Sequence, residues 1–169
     1  MTSEEKVAES QLVVFALEDE EFACNINDVR EVLKMVKITP LPNALHFIEG
    51  VINLRGEVIP VIDLRKRFGL SYIERDDNSR IIIVEVSSKM VGLIVDKVSE
   101  VISLSDKQIQ DAPEQLTGNR TQLIMGVGKI DTRLLIILNL EIILSSDEQI
   151  ALEDISTAGR HVAEIIHDY

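Results

Sequence analysis

Few side chains in this sequence have the types and spacing that enzyme chemistry requires. Cys24 is the only cysteine and lies within an apolar run, where a buried, unreactive thiol is expected. Pairing Cys24 with His46 as nucleophile and base would require an exposed thiol beside the imidazole. The three histidines are scattered, and the chain has no Gly-rich phosphate loop, no His-Glu-x-x-His and no Cys-x-x-Cys. The sequence therefore predicts no catalytic residues, no cofactor and a function other than catalysis.

A cation site is not indicated either. The run Asp76-Asp77-Asn78 carries oxygen ligands, but it lacks the glycine and the closing glutamate of a calcium-binding loop. We interpret residues 71–79 as a polar linker between apolar segments, because charged and turn-forming residues dominate them. No metal site is predicted.

Arg55 is the residue whose setting favours a binding role. Residues 50–64 read Gly-Val-Ile-Asn-Leu-Arg-Gly-Glu-Val-Ile-Pro-Val-Ile-Asp-Leu, with two short β-branched runs around Arg55-Gly56-Glu57. This pattern predicts a hairpin with its tip at Arg55-Gly56, because glycine accepts positive φ without steric cost. A hairpin tip does not itself need an arginine. Arg55 is therefore either a solvated surface side chain or a guanidinium that a rigid turn presents to a partner.

The other marked residues of this stretch are predicted to shape the hairpin and its exit. Pro60 cannot donate to a strand ladder, so the second strand should lie at a sheet edge or bulge there. Asp63 suits the N-cap of a short helix over residues 64–68, with Gly69 ending it. The residues assigned to structural turn and cap roles are Gly50, Asn53, Gly56, Pro60 and Asp63.

A basic cluster follows the hairpin in an otherwise acidic chain. Arg65, Lys66 and Arg67 are consecutive, whereas the chain as a whole has 29 acidic and 17 basic residues and a net charge of −12. The cluster is either a solvated helix face or a contact for an acidic patch on a partner. The net charge repels phosphate backbones and anionic lipid, so we expect neither nucleic acid nor direct membrane contact.

Bulk composition bounds the fold and the compartment. At 169 residues the chain forms one domain or two small ones that share a core, and with 46% apolar residues but only 4% aromatics that core must be aliphatic. The polar N-terminus shows no signal peptide, and no apolar run approaches the ~18 residues of a membrane span. A single cysteine favours a reducing, cytoplasmic setting.

An internal repeat organises the chain. Residues 11–33 align without gaps on residues 80–102 at an offset of 69, and residues 50–64 align on residues 126–140 at an offset of 76. A seven-residue insertion therefore lies between residues 102 and 126, and turns and caps agree as well as apolar positions. Each half supplies about five short strands, and closing them removes exposed edges. We predict an all-β fold with a few short helices, in which two packed five-stranded β-barrels arose by duplication; strands are either kept within each half or exchanged.

Three further segments are predicted to depart from the strand pattern. Asn27 or Asp28 is expected to cap a short helix that carries Val29, Glu31, Val32 and Leu33. Asn43 is expected to cap a helical turn that runs to Phe47. Residues 140–144 are expected to form a short helix after the last hairpin, which turns at Asp131-Thr132.

The two ends of the chain are predicted to lie outside the repeated domain, which spans residues 11–145. Residues 1–10 are polar and are interpreted as a disordered lead. Residues 146–169 form a helical C-terminal tail, because apolar residues recur there at helical spacing. This amphipathic helix packs either on its own barrel or on a partner. The apolar positions are Ile155, Ala158, Val162, Ile165 and Ile166.

The central motif resembles the signature of the CheW family of bacterial chemotaxis adaptors. The likeness covers Gly-Val-Ile-Asn-Leu-Arg-Gly and Val-Ile-Pro-Val-Ile-Asp-Leu, and extends from about residue 11 to residue 144. Leu-Glu-Asp-Glu-Glu-Phe at 17–22, Val-Arg-Glu-Val at 29–32, Val-Gly-Leu-Ile-Val-Asp at 91–96 and Val-Ser-Glu-Val-Ile at 98–102 fit as well. The resemblance implies two five-stranded barrels, which agrees with the repeat.

The resemblance also implies a function and a location. It implies an adaptor that couples the CheA histidine kinase to the cytoplasmic tips of methyl-accepting chemoreceptors, and is recruited to membrane receptor arrays through these partners. In this family the groove between the barrels and the arginine of the Asn-Leu-Arg-Gly turn are tied to receptor binding, and that arginine is Arg55 here. The other implied receptor-binding positions, which could also be plain core, are Val29, Glu31, Val32, Ile81, Ile82, Val98 and Val101.

Two other functions remain open from the sequence. One is a CheW-like scaffold of a non-flagellar chemosensory pathway, and the other is a barrel that binds a small ligand. The two halves are expected to bind different partners, because Arg55 at the first hairpin tip is replaced by Asp131 at the second. A surface that selects its partner by charge would repel the same partner at the repeated tip.

Overall fold

Strands form most of the structure, as the sequence predicts. The computed structural model describes residues 9–111 and 123–143, so the predicted tail over residues 146–169 lies outside the described residues. Two four-residue helices, α1 (Leu64–Arg67) and α2 (Leu140–Ile143), each follow a hairpin. The strands of the described part are β1 (Glu9–Leu17), β2 (Glu20–Asn25), β3 (Val29–Lys34), β4 (Ile48–Leu54), β5 (Glu57–Asp63), β6 (Arg80–Val86), β7 (Lys89–Val95), β8 (Lys97–Ser105), β9 (Ile109–Asp111), β10 (Ile124–Ile130) and β11 (Arg133–Leu138).

The strands form two sheets that combine both halves of the chain. The central sheet has the order β3-β6-β7-β5-β4, and the terminal sheet has the order β8-β1-β2-β11-β10-β9. When the two halves of the repeat are aligned, the five strands of the central sheet correspond, in the same order, to the first five strands of the terminal sheet, β8-β1-β2-β11-β10. Both sheets therefore derive from one duplicated unit, and each unit gives its first hairpin to the sheet of the other.

Each sheet curls until its two ends nearly meet, but neither is strictly a closed barrel. In the central sheet, a single bridge joins Thr39, which follows β3, to Val51 of β4, with N···O distances of 2.8 and 2.9 Å. In the terminal sheet, the chain leaves β8 through a 3-10 turn, Asp106–Gln108, and returns as β9, which pairs with β10. The predicted pair of five-stranded barrels is thus a five-stranded and a six-stranded sheet.

Glycines allow the two closures. Gly50 has φ +148°, and a Cβ there would overlap the Thr39 carbonyl oxygen. A Cβ at Gly126 would lie 2.6 Å from the Gln110 carbonyl oxygen. Each glycine follows a shift of register at the same position of its hairpin. Because glycine has no Cβ, β4 can approach Thr39 closely in the central sheet, and β10 can approach β9 closely in the terminal sheet.

Three apolar cores hold the molecule together; two are aliphatic, and the third also contains the four phenylalanines of the chain. One fills the central sheet, with Ile81 and Ile83 among its members, and a second fills the terminal sheet around Val14 and Leu135. The third lies between the sheets and includes Ile82 from the same strand as Ile81. Strand β6 is therefore covered on both faces, as its continuous apolar run indicates. Truncating a fully buried side chain in these cores costs about 2–5 kcal/mol.

Residues 29–34 form a strand rather than the predicted helix. Strand β3 pairs with β6, and its residues alternate between half-buried and exposed, so that Leu33 contributes to the central core while Val32 is exposed. The preceding 3-10 turn, Ile26–Asp28, is capped by Asn25, whose Oδ1 accepts the Asn27 N–H at 2.8 Å. Pairing with β6 outweighs the local helical spacing of the valines.

Two smaller predictions are also wrong. Asn43 has φ +60° within a turn, so it does not cap a helical turn. Glu9 and Ser10 begin β1 and pair with Ser105 and Leu104 of β8, so the ordered domain starts before residue 11.

Pro60 lies inside the central sheet rather than at its edge. Strand β5 has β4 on one side and β7 on the other. However, the ladder with β7 includes only Val61–Asp63, so Pro60 lies just before it. The missing donor of proline is accommodated because β5 has no ladder partner on that side at this position.

Candidate partner-binding site

The candidate site is built around a tight two-residue turn between β4 and β5. Both central residues have positive φ, 51° at Arg55 and 88° at Gly56, which is the geometry of a type I′ turn. The Asn53 side chain accepts a hydrogen bond from the Gly56 N–H at 2.9 Å. The turn therefore fixes where the Arg55 side chain leaves the backbone.

Arg55 makes a two-pronged ion pair with Glu31 of β3. The Nη2–Oε2 distance is 2.7 Å and the Nη1–Oε1 distance is 3.3 Å. The hydrogen bonds to the Glu31 carboxylate raise the pKa of the Arg55 guanidinium above its ordinary value. The side chain of Arg55 is 71% exposed and that of Glu31 is 28% exposed. An exposed pair adds little to stability, so a partner carboxylate or amide could compete with Glu31 at small cost.

The ion pair brings together Arg55 and Glu31, which the sequence assigned to the site independently. Four other predicted site residues, all valines, lie at or near the surface. Val29 and Val98, which are equivalent in the repeat, are half-buried at the rim of the core between the sheets. Val32 and Val101, a second equivalent pair, are 41% and 54% exposed. These four valines therefore offer apolar surface along β3 and β8.

Ile81 and Ile82 have no surface to offer. Both are 0% exposed, Ile81 in the core of the central sheet and Ile82 in the core between the sheets. Strand β6 is covered on both faces, so these two positions support the site from within and cannot contact a partner directly. Ile81 and Ile82 are therefore core residues, which was the alternative that the sequence left open for these positions.

A second arginine–glutamate cluster lies at the equivalent hairpin of the terminal sheet. Arg133 donates to both carboxylate oxygens of Glu21 at 2.8 and 3.0 Å, and approaches Glu100 at 3.4 Å. Hydrogen bonding from Arg133 lowers the pKa of Glu21. Glu100 is the repeat equivalent of Glu31, whereas Arg133 lies two residues beyond the tip position that Asp131 occupies. The repeat thus changes the charge at the tip, as the sequence already showed, but retains an arginine–glutamate pairing, which the sequence pattern alone did not reveal.

The basic cluster after β5 is used inside the protein. Arg65, with a side chain only 9% exposed, donates Nε to Asp96 Oδ1 at 2.8 Å and Nη2 to Asp96 Oδ2 at 2.7 Å. Its Nη1 donates to the Ser71 carbonyl at 2.7 Å and lies 3.4 Å from Glu18. Burial alone would raise the pKa of Asp96, but hydrogen bonds from Arg65 and the Glu18 N–H lower it. Asp96 lies between β7 and β8, where the chain enters the terminal sheet, and Glu18 lies in the turn between β1 and β2 of that sheet. Arg65 follows β5 of the central sheet, so its contacts link the two sheets.

The neighbouring basic residues also have internal partners. Lys66 and Arg75 both pair with Glu49, and Arg75 donates to Asp63 at 2.7 Å. The Arg67 guanidinium lies 5.1 Å from the centre of the Phe47 ring, a cation–π distance. The sequence left two alternatives for the cluster Arg65–Arg67, a solvated helix face and a contact for an acidic partner. Neither is correct, because all three side chains contact residues of this chain. Residues 71–79 are thereby anchored rather than a free linker.

The chemistry of the remaining candidates is limited. Burial raises the pKa of the Cys24 thiol to about 12, with a further contribution from the Asp28 carboxylate, so the thiolate is strongly disfavoured. Among residues 9–111 and 123–143, no three His, Cys, Asp or Glu side chains are grouped so that they could hold a metal ion. No helix in the same part of the chain has the length and apolar character to span a membrane.

Comparison with known proteins gives consistent matches over most of the chain. The family described as the CheW-like domain matches residues 11–148. Chemotaxis protein CheW of Bacillus subtilis is 38% identical over 147 residues, 87% of this chain and 94% of the relative. Chemotaxis protein CheW of Klebsiella aerogenes is 35% identical over 146 residues, 86% of this chain and 88% of the relative. The crystal structure of the scaffolding protein TtCheW from Thermoanaerobacter tengcongensis matches with a TM-score of 0.77 and 42% identity, and covers 83% of this chain and 96% of that one.

Proposed function

This chain belongs to the CheW-like family, and on that premise we propose that it couples chemoreceptors to the CheA histidine kinase in bacterial chemotaxis. The family is one of non-catalytic adaptors, and the solved relative is named a scaffolding protein. The proposed partners are CheA and the cytoplasmic tips of methyl-accepting receptors. The proposed location is the cytoplasm, with recruitment to membrane receptor arrays through these partners.

The observation that carries the receptor half of the proposal is the Arg55–Glu31 pair. A rigid turn holds an exposed guanidinium against a carboxylate that is itself only partly exposed. A planar, oriented guanidinium suits recognition of carboxylate and amide groups on a partner helix. The half-buried Val29 and Val98 supply apolar surface at the boundary of the two sheets, where an amphipathic helix could lie.

The kinase half of the proposal uses the difference between the two hairpin tips. The second tip has Asp131 in place of Arg55, and the nearby Arg133 is already shared by Glu21 and Glu100. This acidic tip and the Arg55 tip differ in charge, which favours different partners. We therefore assign the receptor to the sheet boundary and the Arg55 tip, and the kinase to one of the sheets away from it, so that both can be bound at once.

Titration of purified variants against a receptor-tip fragment tests the receptor site. We expect Arg55→Ala to weaken binding by at least about tenfold, as for an arginine hot spot, while thermal unfolding changes little. Arg80→Ala is the matched control, since the Arg80 guanidinium donates to the Asp77 and Ser79 carbonyls beside it and Arg80 is not among the proposed site residues, so this variant should bind as the wild type does. Equal receptor affinity for Arg55→Ala and wild type would refute the assignment.

A three-component titration with the CheA fragment tests the coupling itself. Saturation with one partner should leave the affinity for the other nearly unchanged, and Arg55→Ala should weaken only the receptor. Competition between kinase and receptor for one site would contradict the bridging function.

Two alternatives have weaker support. Aliphatic side chains fill the interiors of both sheets, which weighs against a small-ligand barrel. A scaffold of a non-flagellar chemosensory pathway would share the geometry of this site. Mixing the protein with the kinase and receptors of its own operon, and following the output they control, distinguishes that alternative.

A further inference from the structure

One end of the terminal sheet is open, whereas the equivalent end of the central sheet is filled. Beside α2, the terminal sheet borders a cleft of about 260 Å³, which we call the terminal cleft. Beside α1, the equivalent place in the central sheet keeps a cavity of only about 20 Å³. Under the repeat, residues that line the one place align with residues that line the other: Ser10 with Ser79, Asn139 with Asp63 and Glu141 with Arg65.

The chain that follows α1 fills this end of the central sheet. Residues 73–76 lie there and line the little space that remains. Arg75 fastens them, because its Nη2 donates to Asp63 at 2.7 Å and lies 3.3 Å from Glu49. Ion pairs therefore hold the segment that closes the central sheet.

The chain that follows α2 is the C-terminal tail, and it begins beside the terminal cleft. Leu140 and Glu141 of α2 line the cleft, and the described residues end at Ile143. Helices α1 and α2 align at the offset of 76, at which residues 73–76 correspond to residues 149–152. An extended chain reaches about 20 Å between Ile143 and that segment, whereas α2 is only about 6 Å long. The tail is therefore long enough to fold back over the cleft.

The lining of the terminal cleft lacks the charges that hold Arg75. Glu49 and Met125 occupy equivalent positions, each at the register shift of its hairpin. Asp63 corresponds to Asn139, which carries no charge. Met125 is apolar and yet 55% exposed among the described residues. This lining suits an apolar segment rather than a second arginine.

The tail has changed in the same direction as the lining. Ile150-Ala151-Leu152 is an apolar triplet, and it aligns with the charged run Glu74-Arg75-Asp76 of the central segment. The alanine thus replaces the arginine whose two carboxylate partners are replaced by methionine and asparagine. Both sides of the contact have exchanged ion pairs for uncharged groups, so they remain matched to each other.

We propose that the triplet Ile150–Leu152 occupies the terminal cleft, covers Met125 and closes the terminal sheet as residues 73–76 close the central one. Burial of apolar surface holds the triplet there. The first part of the tail then packs on its own domain, which is one of the two placements that the sequence left open. This inference goes beyond the proposed coupling function and does not depend on it.

Acidic groups border both surfaces, so the contact should respond to salt in a characteristic way. Asp28 and Glu141 line the cleft, and Glu148 and Glu153 flank the triplet. Salt screens the repulsion between them and should therefore strengthen docking. A contact made by ion pairs would weaken instead.

Methyl NMR of the full-length protein tests the contact directly. The methyl group of Met125 should show nuclear Overhauser effects to methyl groups of Ile150, Ala151 or Leu152. In an isotope-filtered experiment on a mixture of labelled and unlabelled chains, no such contact should appear between copies.

Thiol kinetics measures how well the triplet covers the cleft. The thiol of Met125→Cys should react at least about tenfold more slowly than the same thiol in a chain that also carries Ile150→Asp and Leu152→Asp. The matched control carries Ile165→Asp and Ile166→Asp instead, and should react as slowly as Met125→Cys alone. Added salt should slow the reaction of Met125→Cys further.

The native thiol does not interfere, because burial raises the pKa of Cys24 to about 12. Several results would overturn the proposal. Equal reaction rates with and without the two aspartates at 150 and 152 would show that the triplet does not cover the cleft. Contacts of the Met125 methyl group with residues 1–8, or with a second copy, would assign the cleft to another occupant. Faster reaction at high salt would mean that charge, and not apolar burial, holds the segment.

Discussion

Replacing Arg65 by methionine should destabilise the protein more than any other single loss of an ion pair described above. The substitution keeps a long apolar side chain but removes three hydrogen bonds of 2.7–2.8 Å, two to Asp96 and one to the Ser71 carbonyl. Breaking a buried pair costs about 3–5 kcal/mol, because the remaining charge loses its partner. Asp96 keeps the Glu18 N–H at 2.8 Å and is 22% exposed, so we expect about 3 kcal/mol.

Chemical denaturation by urea at pH 7, followed by circular dichroism, measures this difference, and the melting temperature should fall by about 6–12 °C. The pH dependence identifies the cause. In the wild type the pKa of Asp96 is lowered, so its contribution is complete above about pH 4 and is lost as the pH falls through the folded-state pKa. In Arg65→Met, only the Glu18 N–H still opposes the effect of burial, so the pKa of Asp96 should be higher than in the wild type and protonation should relieve the buried charge at a higher pH. The deficit of the variant should therefore narrow as the pH falls from 7 toward 3.

Arg30→Met is the matched control for Arg65→Met. Its ion pair with Glu85 is 43% and 38% exposed, so the free energy of unfolding should change by no more than about 0.5 kcal/mol. The double variant Arg65→Met with Asp96→Asn should recover part of the loss. If Arg65→Met costs no more than Arg30→Met, or if its deficit is independent of pH, the argument that Arg65 fastens the two sheets is wrong.

Three further outcomes are expected. Gly50→Ala should unfold the protein or lower its melting temperature sharply, because its Cβ meets the Thr39 carbonyl; Gly56→Ala, with no atom within 4 Å of a Cβ, should cost only about 1–2 kcal/mol for its positive φ. At pH 8 a thiol reagent should label Cys24 only as fast as the chain unfolds, since the pKa of the buried thiol is about 12. The purified protein alone should neither hydrolyse ATP nor accept phosphate, and measurable turnover would contradict its assignment as an adaptor.

Elements governed by a few neighbouring residues could be predicted from the sequence. The turn at Arg55-Gly56 follows from a glycine between two short β-branched runs, and Asp63 caps α1 through a hydrogen bond to the Arg65 N–H. The repeat extended these predictions to the second half, where Asn139 accepts the Ile142 N–H in the equivalent position. Local chemistry is sufficient there because each interaction closes within three residues.

Strand β3 shows where local spacing misleads. The valines at 29 and 32 fit one face of a helix, whereas residues 29–34 and the aligned residues 98–103 both lie in strands, β3 and β8. Pairing with a neighbouring strand therefore determines the structure of both segments, and the local spacing does not. The continuous apolar run from Ile81 to Val84 likewise indicated burial on both faces, which excludes direct partner contact by Ile81 and Ile82.

Pairs between distant segments could not be predicted from one sequence. Arg65 and Asp96 are 31 residues apart, and Arg133 and Glu21 are 112 residues apart. Their meeting depends on the exchange of hairpins between the sheets, which the alignment of the two halves left open.

The path of the chain through the sheets sets an order for folding during synthesis. The strands of the central sheet occupy one continuous stretch, residues 29–95. In contrast, β1 and β2 pair with β8 and β11, so the terminal sheet cannot form until those later strands have been synthesised. At about 5–20 residues per second, the ribosome needs about 4–14 s between the end of β2 and the start of β8. Throughout that interval Val14 and Phe15, both 0% exposed in the finished protein, have no sheet to cover them. The central sheet can be complete first, and it then serves as the template on which the two ends of the chain finally meet.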